Sequence, residues 1–290
     1  MPGCGGLFTT SIVEIPWVYG KTYTLVPFGD VHYGAPLHCS SEWERFCNAQ
    51  KGRKDVAFLG MGDMTDVVST SERAVLKMGK GGLHESTMES IEDMYRKTTD
   101  DLLETISFMR GRCLGLIEGN HFGQFGDGTT TTQRMCQALR TKYLGCICIV
   151  RLCFVFSGTS KLTVDILAHH GKGGGQLAGT PFNQVGKMAD IAEADIYLMG
   201  HDHNRGCVTG QRMYPYFDSR KKQLVMKERK IIYGRTGSFL RGYVPNKVSY
   251  IADMALKPAN LGWIEIEITP HRLKDGKGGQ ETVVDIRGLA

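Results

Sequence analysis

A single large α/β domain is the fold class this sequence predicts, and three observations predict it. Apolar runs with strand character alternate with stretches of helical periodicity from Thr22 to Met199. Five of those apolar runs end in a cluster of Asp, Asn or His, as expected where the strands of a layered α/β sheet open onto a ligand site. The chain has 290 residues, long for one average domain and short for two, and it shows no internal repeat, low-complexity tract or linker. One domain over residues 1–290 is therefore expected, with a strand-rich C-terminal part over 208–290.

The elements follow in order. Residues 22–28 are a β-rich run ending at Gly29-Asp30. Residues 40–49 open with Ser40 and carry Trp43, Phe46 and Cys47 at helical spacing, which predicts a short helix. Residues 55–61 are a second strand, ending at Gly62-Asp63. Residues 67–82 are polar, basic and Gly-rich, so 67–84 is a candidate lid loop. Residues 85–110 space Met88, Ile91, Tyr95, Leu102 and Ile106 as a helix does, in one long helix or two. Residues 112–117 are a third strand, ending at Gly119-Asn120-His121, and 132–141 a helix. Residues 146–157 and 161–168 read as a hairpin through Gly158-Thr159-Ser160, the second strand ending at His169-His170. A Gly-rich loop, a helix over 181–192 and a buried strand over 195–199 lead to Gly200-His201-Asp202-His203. Further strands are expected over 223–226, 230–233, 263–268 and 282–286.

Composition narrows the class. Hydrophobic residues make up 41% and charged residues 22%, which excludes a disordered chain. No apolar run approaches the roughly 20 residues a membrane helix needs, so no membrane partner is expected. Nine Cys is an odd and dilute number, unlike a disulfide scaffold, and residues 1–20 lack a secretory pattern. A reducing, cytoplasmic setting is the expectation. The net charge of +5 favours polyanionic partners mildly and does not argue nucleic acid by itself.

The clusters at the strand ends are Asp30-Val31-His32, Gly62-Asp63-x-x-Asp66, Gly119-Asn120-His121, His169-His170-Gly171 and Gly200-His201-Asp202-His203. Imidazoles and carboxylates together bind borderline divalent metals such as Zn, Mn, Fe or Ni, with manganese foremost here. There are too many ligand-type residues for one tetrahedral ion. They suit two ions ~3.5–4 Å apart with a carboxylate between them. Alternate residues of an extended chain end share a side, which would place Asp30 with His32, and His201 with His203, on one pocket.

In their order along the chain these clusters resemble the five motifs of the calcineurin-like metallophosphoesterase superfamily, and the stretch from Gly237 to Leu240 looks like the closing strand of its phage and bacterial members. The resemblance spans Asp30 to His203 and implies a four-layer α/β/β/α sandwich with two central mixed sheets. It implies that Asp30, His32 and His203 hold a first metal, that Asn120, His201 and a histidine of the His169-His170 pair hold a second, and that Asp63 bridges them. Relatives with His-His-Pro use the first histidine of the pair, and relatives with His-Gly use the one before Gly. The run His170-Gly171-Lys172-Gly173-Gly174-Gly175 favours His170 and sends His169 to the opposite face. His121 would be the catalytic residue, outside the metal shell, protonating the leaving alkoxide or stabilising the transition state.

Two departures matter. Phe122 stands where many relatives have an acid that orients the catalytic histidine, so His121 is expected to lean on Asp66 or Asp127. Val67 and Phe122 replace the Arg and Glu of the protein Ser/Thr phosphatase branch, which argues against that branch. The implied activity is hydrolysis of phosphoesters, preferably diesters, with two divalent ions. The substrate could be a small diester, a nucleotide or a nucleic acid, and no protein partner is inferred. The alternatives are a phosphomonoesterase and a non-catalytic, metal-dependent nucleic-acid-binding module.

Outside the motifs, His38, His84 and His271 read as surface or supporting residues. Cys146 and Cys148 read as strand residues sharing a face, and Lys172 as a solvated loop residue or a phosphate contact. Lys221, Lys222, Lys227, Arg229 and Lys230 read as the polar face and turn of an exposed hairpin, with a nucleic-acid contact as the alternative. Arg241 is a candidate substrate contact.

Overall fold

The computed structural model describes residues 7–68, 85–156, 160–173, 177, 179–218, 221–247, 249–274 and 280–290. Of the lid loop expected over 67–84, residues 69–84, His84 among them, lie outside the described residues. The strands are β1 Thr9–Pro16, β2 Tyr23–Phe28, β3 Val56–Gly60, β4 Cys113–Leu116, β5 Ile147–Phe156, β6 Ser160–His169, β7 Ile196–Met199, β8 Arg205–Asp218, β9 Gln223–Thr236, β10 Glu265–Lys274 and β11 Gln280–Leu289. They form two sheets, one ordered β1-β5-β6-β7-β9-β8 and one ordered β11-β10-β2-β3-β4. Both are mixed: β2, β3 and β4 run parallel and meet antiparallel β10, while β6, β7 and β9 run parallel between antiparallel β5 and β8. The chain is thus α/β with two mixed sheets.

Alternation within single strands assigns the cores. Leu25 of β2 and Leu59 of β3 share a buried cluster with Val150, Ile166, Ile196, Leu198 and Ile266, which lies between the two sheets. Val26, Phe28 and Phe58 point the other way, into a cluster with α1 (Ser40–Gln50), α2 (Glu85–Ile106) and α3 (Thr131–Leu139). Leu167, Tyr197 and Met199 turn from the first sheet into a third cluster with Val185 of α4 (Thr180–Gly186). Strands covered on both faces have no polar side to show. This is why they read in the sequence as continuous apolar runs.

Several expectations change in detail. β1 was not foreseen; it adds in parallel to β5 at a sheet edge. The helix expected over 181–192 stops at Gly186, a poor helix former, and continues as a 3-10 turn, Lys187–Asp190. The helix expected over 132–141 ends at Leu139, where Arg140 caps it in the left-handed conformation at φ 54°. The strands expected over 223–226 and 230–233 are one, because β8 pairs with β9 residue by residue through Lys227-Glu228-Arg229. That hairpin carries the basic run as expected: Lys227 lies 4.0 Å from the Tyr216 ring, and Arg229 and Lys230 pair with Asp195 and Asp285. The stretch from Gly237 to Leu240 is not a strand but two isolated bridges, Ser238 with Leu261 and Leu240 with His38. Cys146 precedes β5 and is exposed while Cys148 is buried, so the two do not share an environment. Among the described residues no helix is long and apolar enough to cross a membrane.

Phe58 is fully buried against Phe28 and Phe108, whereas Ile12 is 66% exposed on β1. Phe58→Ala should cost ~3–5 kcal/mol, and Ile12→Ala less than about 0.5 kcal/mol. Urea unfolding of the two variants checks this; equal losses would contradict the assignment of the core.

Candidate metal centre

The five strands β2, β3, β4, β6 and β7 end on the same side of the two sheets, and the backbone ties their ends together. Asp30 N donates to Gly62 O at 3.0 Å, His32 N to Asp63 O at 3.0 Å, and Gly200 N to His170 O at 2.9 Å. Across the sheets, His201 N donates to Asp30 Oδ2 at 2.8 Å. The loops that follow are tight. Asp30, His32, Asp63, His201 and His203 all have positive φ, between 47° and 71°. Asp30 and His32, and likewise His201 and His203, do reach one pocket. They do so from left-handed backbone, not from the extended chain end that the spacing suggested. Such conformations are costly for residues with a Cβ, and their concentration here marks the loops as held by their surroundings. The motif glycines are required by contact: a Cβ on Gly119 would lie 2.0 Å from Asp63 Oδ1, and one on Gly62 would lie 2.4 Å from His170 Nδ1.

The side chains converge as three groups, each with ligand atoms within 4.8 Å of one another: Asp30 with His32 and His203, Asp63 with His170 and His201, and His32 with Asp66 and His121. His170 Nδ1 donates to Met61 O at 2.8 Å, which turns Nε2 toward Asn120 Oδ1 at 2.9 Å and Asp63 Oδ2 at 3.2 Å. Asn120 Oδ1 also lies 2.7 Å from His201 Nδ1. Asp63 is central: its Oδ1 accepts from His121 N at 2.7 Å, and its Oδ2 is 3.8 Å from His32 Nε2. His169 ends β6, half-buried, and belongs to none of the three groups.

His121 leans on Asp66, not on Asp127. Its Nδ1 lies 3.0 Å from Asp66 Oδ1, while Asp66 Oδ2 lies 3.0 Å from His32 Nδ1. Asp127 instead accepts from Thr129 and Arg134. The contact between Asp66 and His32 was not foreseen, nor was the support behind Asp30, whose carbonyl accepts from Phe239 N at 2.9 Å and Ser238 Oγ at 3.1 Å. Arg241 is turned to Cys39, its Nε 3.2 Å from Sγ, so it has no place in the cluster. Lys172 is exposed, and a Cβ on neighbouring Gly173 would stand 3.4 Å from His201 Nε2, so this loop walls the site. His38 is occupied with Val31 O at 2.8 Å.

These residues fit divalent cations. Asp30 Oδ1 and His32 Nε2 are buried and lack a hydrogen-bond partner, and His203 Nε2 stands 3.6 Å from that same Asp30 oxygen. Buried polar atoms without partners are costly, and a cation among them would satisfy them. The electrostatics agree. Burial pushes the Asp30 carboxyl up to about 6, against the pull of His170, with Asp63 adding to the rise. Asp63 stays far below the usual carboxylate range: burial opposes this, but the hydrogen bond and charge of His170 and the charges of His32 and His121 prevail. Burial would lower His170, yet Asp63 raises it to about 9. Asp66 is held down at about 2, burial being outweighed by His121 and His32. Burial drives His203 well below the ordinary histidine value.

No family model matches the chain, and no curated protein matches it. Among solved structures, the crystal structure of Chaetomium thermophilum Vps29 aligns at 12% identity over 92% of this chain and 98% of that one, with a TM-score of 0.34. The same protein complexed with the RaPID-derived cyclic peptide RT-D3 aligns at 11% identity over 92% and 97%, with a TM-score of 0.31. Likeness this low carries nothing further for this chain.

Two outcomes follow from the geometry. His170 holds a proton up to about pH 9 that a cation must displace, and Asp30 must be ionised above about 6. Affinity for a divalent cation should therefore rise with pH, by up to about tenfold per unit between about pH 6 and 9 and more steeply below, where Asp30 gives up a second proton. Calorimetric titration at several pH values checks this, and a flat profile contradicts it. His170→Ala should lower the bound divalent metal, while His169→Ala should leave it unchanged; elemental analysis decides, and the reverse result would move the ligand to His169.

Proposed function

We propose that this chain is a two-metal phosphoesterase acting by preference on diesters. The observation that supports it most is the pair of neighbouring ligand groups, Asp30 with His32 and His203 and Asp63 with His170 and His201. One Asp63 oxygen lies 3.2 Å from His170 Nε2 and 3.8 Å from His32 Nε2, with His121 Nδ1 beside them 3.0 Å from Asp66 Oδ1. In this reading Asp30, His32 and His203 hold one ion, Asn120, His170 and His201 the other, and Asp63 lies between. The resemblance of the motifs to the calcineurin-like metallophosphoesterases supports it. So does the distribution of the buried clusters, with helices outside each of two facing sheets, which fits the four-layer α/β/β/α sandwich.

Divalent cations bound there would supply charge to neutralise the phosphoryl oxygens and to lower the pKa of water. The remaining work belongs to the chain. Asp66 Oδ1 lies 3.0 Å from His121 Nδ1, an ion-pair contact rather than a hydrogen bond, and this draws Nδ1 toward the carboxylate and leaves Nε2 to give a proton to the departing alkoxide oxygen. Because the other oxygen of Asp66 holds His32, one carboxylate orients both a metal ligand and the acid. The hydrogen bond from His170 Nδ1 to Met61 O fixes that ring's tautomer and leaves Nε2 as the donor atom for the ion. The preference for diesters draws on the absent protein-phosphatase residues at Val67 and Phe122 and on the net charge of +5.

His121→Ala tests the reading. Bound metal should stay at the wild-type level while turnover falls about 10²–10⁴-fold. The loss should be small for a nitrophenyl diester, whose leaving group departs unprotonated, and large for an alkyl or nucleoside diester. Loss of metal would make His121 a ligand, equal losses on both substrates would remove its acid role, and a metal-loaded wild type inert on every phosphoester would leave a binding module.

A further inference from the structure

Arg235 is the largest fully buried side chain of the described residues, with no exposed surface. It lies in β9 between Met199 of β7 and Gly206 of β8. Its Nε donates to Asp202 Oδ1 at 3.0 Å and its Nη2 forms an ion pair with Asp202 Oδ2, while neither Nη1 nor Nη2 has a hydrogen-bond partner. Asp202 also accepts from Asn204 N at 3.1 Å through Oδ1, and its own N–H donates to Gly200 O at 3.0 Å. A guanidinium in this setting is expensive to bury, and hydrophobic replacement of such a pair is often neutral or stabilising. Packing alone does not account for it.

Its location does. Asp202 sits between His201, which belongs to the group with Asp63 and His170, and His203, which belongs to the group with Asp30 and His32. One short turn therefore supplies a member to two of the three ligand groups. The residues on both sides of Asp202 are left-handed, His201 at φ 71° and His203 at φ 57°. Such a turn would relax toward ordinary backbone unless anchored. The Asp202 carboxylate is the side chain that ties it to the sheet, and Arg235 is rigid in the ladder. The hydrogen bond from Nε and the ion pair from Nη2 engage one carboxylate oxygen each, which fixes the carboxylate's orientation as well as its position.

We propose that the buried Arg235–Asp202 pair is a positioning device that holds the His201–His203 turn in its left-handed form and so sets both metal subsites at once. The proposal rests on the two-metal reading above. Its signature is joint loss: removing a ligand weakens one ion first, whereas loosening this turn weakens both.

The experiment compares wild type, Arg235→Lys and the double variant Asp202→Asn with Arg235→Met. Thermal unfolding is measured on metal-free protein and Mn²⁺ binding is measured by calorimetry. Arg235→Lys keeps the charge but loses the fork, and should weaken both ions by about 10–100-fold. The double variant leaves no unpaired charge, so its unfolding midpoint should stand near that of wild type while both ions remain weakened. Wild-type affinities in either variant, or weakening of one ion only, would overturn the proposal, as would a fall in affinity that merely follows the unfolding midpoint. A wild type that fails to take up two ions would overturn the two-metal reading itself, and this inference with it.

Discussion

Burial of the Asp63 carboxylate is the constraint on which the rest of the site depends. A carboxylate out of water must be surrounded by donors and positive charge, or it takes a proton. Asp63 stays ionised because partners arrive from several strand ends: the His121 amide from the β4 end, the His170 ring from the β6 end, and His32 from the β2 end. β2 and β4 belong to one sheet and β6 to the other, so the carboxylate is satisfied only when the sheets face each other with their parallel strands ending on one side. The aliphatic cluster between the sheets supplies that arrangement.

The same dependence explains what the sequence disclosed. Strands buried on both faces write themselves as apolar runs, and polar residues bunched at their ends have few other reasons to exist. Asp30, His32, Asp63, Asn120, His121, His170, His201 and His203 were therefore legible, and the structure gathers all of them. Less legible was whatever depends on partners distant in sequence. β1 is mostly exposed, with a partner more than 130 residues away, so its pattern alone does not announce a strand. β9 seemed broken at Lys227-Glu228-Arg229 because an exposed ribbon has no apolar face to display there. Arg235 did carry a signal, a charged residue three positions after the buried Ile232 in the same strand, yet nothing local tells it to seek Asp202.

The physical reason given for the ligand spacing also changes. Two residues apart in an extended strand share a side, but these pairs share a pocket by way of left-handed loops. Asp and Asn tolerate such backbone better than most residues, and histidine somewhat less so. The site thus combines two costs, strained loops and buried polar atoms, and places both where the cores behind β2, β3 and β7 are deepest.

At the far end of the β8–β9 ribbon the problem is of another kind. β8 is the last strand of its sheet and, among the described residues, pairs with no strand but β9, so its outer edge is open along most of its 14 residues. Near its tip Met213, Phe217, Leu224 and Met226 are each more than half exposed. An open edge with apolar residues beside it is the usual template for unwanted strand addition by another chain. Pro215 withholds one ladder donor and Arg212 places a charge along the same strand. The open edge thus lies up to about 45 Å along the strand from the site, so substitutions at its tip touch no residue of the ligand groups.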